Sequence, residues 1–174
     1  MKSPILRAAF AASIVLGMTG SANAQVSSNR VAAETDWSVF VEDSPKECWG
    51  VSAPKETVNT KDGQPVAVRR GDILLFVTYR GGASTGEVSF TGGYPFAGGS
   101  TVELDIGGTK FELFSEGEWA WSAADDDSKI VAALKAGTTA VVSGRSGRGT
   151  KTQDTFSLLG VSAALDEAAK RCAG

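Results

Sequence analysis

Hydrophobic and polar positions alternate along much of the chain. Trp37, Val39 and Val41 are interleaved with Ser38 and Phe40, a period of two that predicts a strand with one buried face. Residues 48–53 form a second short candidate. Residues 73–79 are a continuous apolar run with β-branched and aromatic members, the pattern of a central strand covered on both sides. Val88 and Phe90 alternate with Glu87, Ser89 and Thr91, which predicts a half-buried strand. Val102, Leu104 and Ile106 alternate with Glu103 and Asp105, and Phe111 and Leu113 alternate with Lys110 and Glu112 across Gly107-Gly108. Two alternating runs around Gly-Gly predict a hairpin. Trp119 and Trp121 share one strand face, and residues 140–143 and 155–159 complete the strand set. Residues 54–70, with Pro54, Gly63 and Pro65, read as a loop or an irregular edge.

Two segments carry a helical period instead. Asp125-Asp126-Asp127 opens one, with Ile130, Val131 and Leu134 on one side, Lys135 in the last turn and Gly137 as the stop. Ser162 is placed to cap the other, in which Leu165, Ala168, Ala169 and Cys172 fall on one stripe. Seven to nine short strands and two helices predict an all-β fold, mainly an antiparallel β-sandwich or barrel-like, with one of its two short helices C-terminal. No repeat or second domain is visible, so residues 36–174 are expected to form one domain behind a loose leader at 25–35.

The first 24 residues stand outside this pattern. Lys2 and Arg7 precede an apolar stretch from Ala8 to Met18, too short to span a bilayer, and Ala22-Asn23-Ala24 has the small residues of a cleavage site. Cleavage after Ala24 is expected, with export. No later stretch has the length of a transmembrane segment. In an exported chain an even cysteine count predicts a disulfide, here between Cys48 and Cys172.

Composition narrows the chemistry. Histidine is absent, which removes Ser-His-Asp and Cys-His catalysis and histidine-ligated zinc. Loss of Lys2 and Arg7 with the leader takes the formal net charge from −3 to −5, which disfavours nucleic acid as a partner. Glycine, 21 of 174 residues, is well above the usual share and favours many turns.

Four local motifs invite a functional reading. Arg70-Gly71-Asp72 matches the tripeptide read by integrins, but Ile73 begins a buried run at once, so a turn feeding that strand is expected. Residues 144–151 have the glycine spacing of a phosphate loop, but Thr150 stands where lysine is needed and a strand pattern follows in place of a helix. Asp125-Asp126-Asp127 lacks the later ligands of a calcium loop and is explained by its helix N-terminus. Glu116 and Glu118 beside Trp119 and Trp121 evoke a glycan hydrolase, which needs two carboxylates across a cleft. No catalytic residue, metal ligand or cofactor is therefore assigned.

Several segments in order resemble the invasion-associated locus B family of alphaproteobacterial envelope proteins. They are residues 70–78 (RGDILLFVT), 87–96 (EVSFTGGYPF), 117–121 (GEWAW), 146–150 (SGRGT) and 154–158 (DTFSL), framed by Trp37 and Cys172. The resemblance implies an exported β-rich domain in the bacterial envelope, in the periplasm or, beyond it, at the outer surface or in the medium. Founding members are linked to entry into host cells, including red cells, whereas many relatives occur in bacteria without a host. It transfers no catalytic residues. A binding role for a protein partner in the envelope or on a host cell is expected. The candidate surface is the basic hairpin with Arg145, Ser146, Arg148 and Lys151, joined by Tyr94 and Phe96 of a second glycine-rich loop. The rival roles are a periplasmic enzyme on cell-wall glycans and a chaperone-like accessory subunit.

Overall fold

Alternating side chains on strands this short bury only one face each, so the strands must pair and fold over one another to enclose a core. A computed structural model describes residues 29–83 and 85–173 and shows how this is done. In chain order the elements are β1 (Arg30–Glu34), β2 (Trp37–Asp43), β3 (Lys46–Ser52), β4 (Glu56–Lys61), β5 (Gln64–Pro65), β6 (Leu74–Arg80) and β7 (Glu87–Thr91). There follow β8 (Thr101–Ile106), β9 (Thr109–Glu116), β10 (Trp119–Ser122), α1 (Ala124–Ala136), β11 (Thr139–Arg145), β12 (Lys151–Ser157) and α2 (Val161–Cys172). All pairings are antiparallel, in the order β1-β2-β3-β6-β7-β10-β9-β8-β11-β12-β4-β5.

The sheet coils until its halves face each other. Phe90 of β7 and Phe156 of β12, far apart in strand order, meet edge to face at 6.1 Å. At one end the indole of Trp37 donates to the Ser157 carbonyl at 3.0 Å, and the Asp36 amide to the Leu159 carbonyl at 3.2 Å. The predicted sandwich or barrel-like fold with two helices is therefore present, built from one continuous sheet.

The helix α2 completes the closure. It lies over the inner faces of β2, β3 and β6 and presents Val161, Ala164, Leu165, Ala168 and Cys172 to them. Gly50 of β3 leaves the room that the Leu165 side chain fills. Cys172 then meets Cys48 in the disulfide read from the sequence, with Cα atoms 5.7 Å apart and a sequence separation of 124. The helix does not start as expected. Ser162 lies inside its first turn and donates to the Lys135 carbonyl of α1, while Gly160 occupies the cap at φ 90°. A side chain at Gly160 would run into the Glu34 carbonyl, so glycine is required for both conformation and space. The other helix, α1, is held by Asp127, whose carboxylate accepts from the Val88 amide at 2.9 Å and from the Ser122 hydroxyl. The acidic run is thus partly structural, with Asp126 paired to Lys129.

Two segments expected to be irregular are strands. Arg30–Glu34, inside the supposed loose leader, pairs with β2 as β1. Residues 54–70 contain β4, which pairs with β12, and the two-residue β5. Both lie at sheet edges, where polar side chains on the open side are compatible with strand pairing. The expected signal peptide lies outside the described residues.

The outer face of the first half carries a further departure. Ser89 and Thr91 of β7, read as solvent-facing, are buried. Rings on neighbouring strands flank them: Phe76 lies 5.6 Å from Trp119, Trp119 6.3 Å from Trp121, and Trp121 5.8 Å from Phe114. Phe40 and Trp49 stack further along the same face at 5.7 Å.

The disulfide should contribute measurably because it closes so long a loop. Replacing both Cys48 and Cys172 with serine is expected to cost about 2–5 kcal/mol and to lower Tm by on the order of 10 °C in a thermal melt. An unchanged melting temperature would show that α2 is held by packing alone.

Candidate binding site

Four connections converge at one end of the sandwich around a cleft of about 370 Å³. The β5–β6 connection supplies Val68, Arg69 and Arg70. The β7–β8 loop supplies Gly93, Tyr94 and Pro95, the β9–β10 turn Glu118, and the β11–β12 turn Ser146, Gly147 and Arg148. At its base lies Arg70, held from beneath by a buried ion pair. Arg70 binds Asp154 of β12 with two parallel hydrogen bonds of 2.7 and 2.6 Å. The Arg70 side chain is 5 % exposed and that of Asp154 0 %. The guanidinium also donates through Nε to the Gly92 carbonyl at 2.8 Å and through Nη1 to Asn59 Oδ1 at 3.3 Å. The Tyr94 ring lies 5.0 Å from Arg70 Cζ, a cation–π distance, and its hydroxyl is 2.6 Å from Thr152 Oγ1.

The glycines of these loops allow this approach. Gly71 donates to the Gly93 carbonyl at 2.9 Å. Gly93 has φ +69°, and a Cβ on it would stand 2.7 Å from the Gly71 backbone. The integrin-type reading of Arg70-Gly71-Asp72 is thereby overturned: an adhesive tripeptide needs a free arginine, and this one is buried on a carboxylate.

The two loops singled out from sequence are joined directly. Phe96 and Ser146 form an antiparallel bridge. Ala97 donates to the Arg145 carbonyl at 2.8 Å, and Gly147 to the Pro95 carbonyl at 3.1 Å. Their side chains nevertheless divide. Phe96 is only 7 % exposed and packs on Phe90 and Tyr94 at 6.2 and 5.0 Å. It anchors the loop from the core and is not part of a contact surface. Arg148 and Ser146 line the cleft with Tyr94, whereas Arg145 and Lys151 line a separate, broader groove with Glu103 and Glu112. Residues at opposite ends of one hairpin need not share a side, and here the expected single basic surface is split. Arg69, inside a segment whose sequence reads as a loop, takes the place beside Arg148. Neither Arg69 nor Arg148 makes an ion pair or side-chain hydrogen bond among the described residues.

The turn itself is not a phosphate loop. It connects two antiparallel strands, and no helix follows it. Nor does the cleft hold a pair of carboxylates: Glu118 lines it, whereas Glu116 at the end of β9 does not. The two-carboxylate geometry of a glycan hydrolase is not assembled there.

The family model described as invasion associated locus B (IalB) protein matches residues 37–169, most of the chain. The chain belongs to the invasion-associated locus B family. A solved structure, the invasion associated protein B from Bartonella henselae, has a TM-score of 0.53 at 17 % identity. The alignment covers 79 % of this chain and 94 % of that one, and so supports the fold of this family member. No curated protein matches.

Burial pushes the Tyr94 phenol above its ordinary pKa, with the hydrogen bond to Thr152 and the Arg70 charge drawing it part of the way back. Burial, then the Asp166 charge, pushes Tyr79 up as well. Stability linked to these raised groups is complete below an unfolded value near pH 10 and is lost as pH rises through the folded values. The chain has two tyrosines. Absorbance at 295 nm should therefore show both ionising above about pH 10 in the native protein and near it in urea.

The buried ion pair gives a sharper prediction. Arg70→Met alone strands Asp154 and is expected to cost about 3–5 kcal/mol. Adding Asp154→Leu should recover most of that loss in urea unfolding, because the charge left without a partner is removed. Additive losses would show that the two residues act independently.

Proposed function

We propose that this chain is an exported, non-catalytic binding domain of the bacterial envelope and that it captures a protein partner through the cleft between Arg69 and Arg148. The observation that carries the reading is two arginines that find no internal partner among the described residues, at a concave site whose floor is braced by a buried ion pair. Unpaired arginine beside an aromatic wall is the composition of interface hot spots, and a rigid floor lowers the ordering cost of binding. Export is supported by the leader pattern in residues 1–24 and by the disulfide. Among the described residues no helix is long and apolar enough to cross a membrane. The periplasm is the proposed compartment.

Membership of the family supports a role in envelope function or host-cell entry. The non-catalytic reading is supported by the lack of histidine and by the single carboxylate of the cleft.

Cross-linking in producing cells tests the surface. An Arg69→Ala/Arg148→Ala variant is expected to lose its protein adducts while its Tm stays near that of the parent, and Arg145→Ala, on the other groove, to keep them. Adducts that persist in the double variant would remove the cleft from consideration. An impermeant protease added to intact cells distinguishes compartments: a periplasmic protein survives until lysis, whereas a surface protein is lost at once.

A further inference from the structure

We infer that the cleft is built for a peptide carboxylate, so that the partner engages it through an acidic, partly apolar segment. This rests on the cleft being the capture surface and adds the ligand class.

The argument starts from what the site can offer. Its cationic groups are the guanidiniums of Arg69 and Arg148, with no internal ion pair among the described residues. Arg70 is not available, being buried and spending four of its five N–H donors on Asp154, Gly92 and Asn59. A guanidinium presents a planar fork that matches carboxylate and phosphate alike.

The backbone separates the two anions. Phosphate sites draw on several free amides, at a helix N-terminus or in a nest of the chain. Here several of the loop amides are already used. Gly147 donates to Pro95, Gly149 to the Ser146 carbonyl at 2.9 Å, and Thr150 to Ser146 Oγ at 3.1 Å. Gly71 donates to Gly93, and the turn leads into β12 rather than a helix. No helix N-terminus lines the cleft, so the side-chain forks are its principal anion donors, which favours a planar monoanion.

Glu118 on the same rim points the same way. Its carboxylate opposes a dianion more strongly than a monoanion, and it can accept a hydrogen bond from a peptide amide. Val68, Pro95 and the Tyr94 ring supply apolar wall between the charges. A volume of about 370 Å³ is at the small end for ligand sites. It suits a short stretch of peptide, an acidic residue with an apolar neighbour, more than a broad protein face.

Fluorescence anisotropy with the full mature protein tests this. The probes are a labelled, end-blocked octapeptide of alternating Glu and Leu and its counterpart with Gln for every Glu. The acidic peptide is expected to bind at least about tenfold more tightly than the Gln peptide, the range of charge-assisted hydrogen bonds. Arg69→Gln and Arg148→Gln should each weaken it severalfold, Glu118→Gln should strengthen it, and Arg145→Gln should leave it within about twofold. Inorganic phosphate at about 10 mM should not displace it beyond its effect as salt, measured with chloride of equal ionic strength.

Equal binding of the two peptides, no binding of either, or equal losses from Arg145→Gln and Arg148→Gln would each overturn the proposal. Displacement by phosphate beyond the chloride control would assign the cleft to a phosphate ligand instead. The outcomes also separate this proposal from the reading beneath it. If the acidic peptide fails while Arg69→Ala/Arg148→Ala abolishes cross-linking, the ligand class is wrong and the cleft stands. If cross-linking survives as well, the cleft itself is wrong.

Discussion

The open end of this sandwich depends on one buried charge pair. Asp154 sits on the inner side of β12 with no exposed surface, and a carboxylate there is tolerated only if its charge is matched and its oxygens are bonded. Arg70 meets both needs, and in doing so fixes a connection that would otherwise be free. The same guanidinium holds the Gly92 carbonyl and Asn59 of β4. It also lies against Tyr94. One side chain thus ties the β5–β6 connection to β4, to β12 and to the loop after β7. The cleft is shaped by what surrounds that pair, and its two free arginines belong to segments that the pair holds still.

The opposite end is secured differently. There the core between the sheet halves is completed by α2, and the chain returns to its start through the disulfide. Covalent and hydrophobic closure at one end leaves the polar closure at the other to serve binding. The aromatic rings on the outer face belong to neither closure. They cover the small polar residues of β7, and Phe114 and Trp119 remain 54 % and 40 % exposed, an unusual load of ring surface for the solvent side of a sheet.

Much of the fold was legible in the residues because its signals are local. The Gly107-Gly108 hairpin, the strands around the 146–150 turn and the apolar stripe of α2 are all written in periods of two or near four. The strands near the sheet's ends, β1 and β4, were not, because a strand there can be polar and short and still pair. Ser162 looked like a cap because caps are common at that position in sequence, yet Gly160 was required by the nearness of Glu34, a contact between distant segments. Phe96 and Tyr94 stand two residues apart and looked equivalent. Only the packing of Phe90 and the hydroxyl of Thr152 distinguish an anchor from a wall.

The sequence by itself determined the compartment signals, the class of fold, the cysteine pairing and the want of histidine chemistry. Each follows from composition or from spacing along the chain. Tertiary structure alone decided which charges are spent and which are free. Arg69 and Arg70 are neighbours of one type, but the strand that receives them buries one on Asp154 and leaves the other at the cleft. Arg145 and Arg148 lie in one hairpin, but the turn sends them to different grooves. The physical reason is that a charge is neutralised by whatever lies within a few ångströms of it. Those neighbours come from strands up to 84 residues away in the chain.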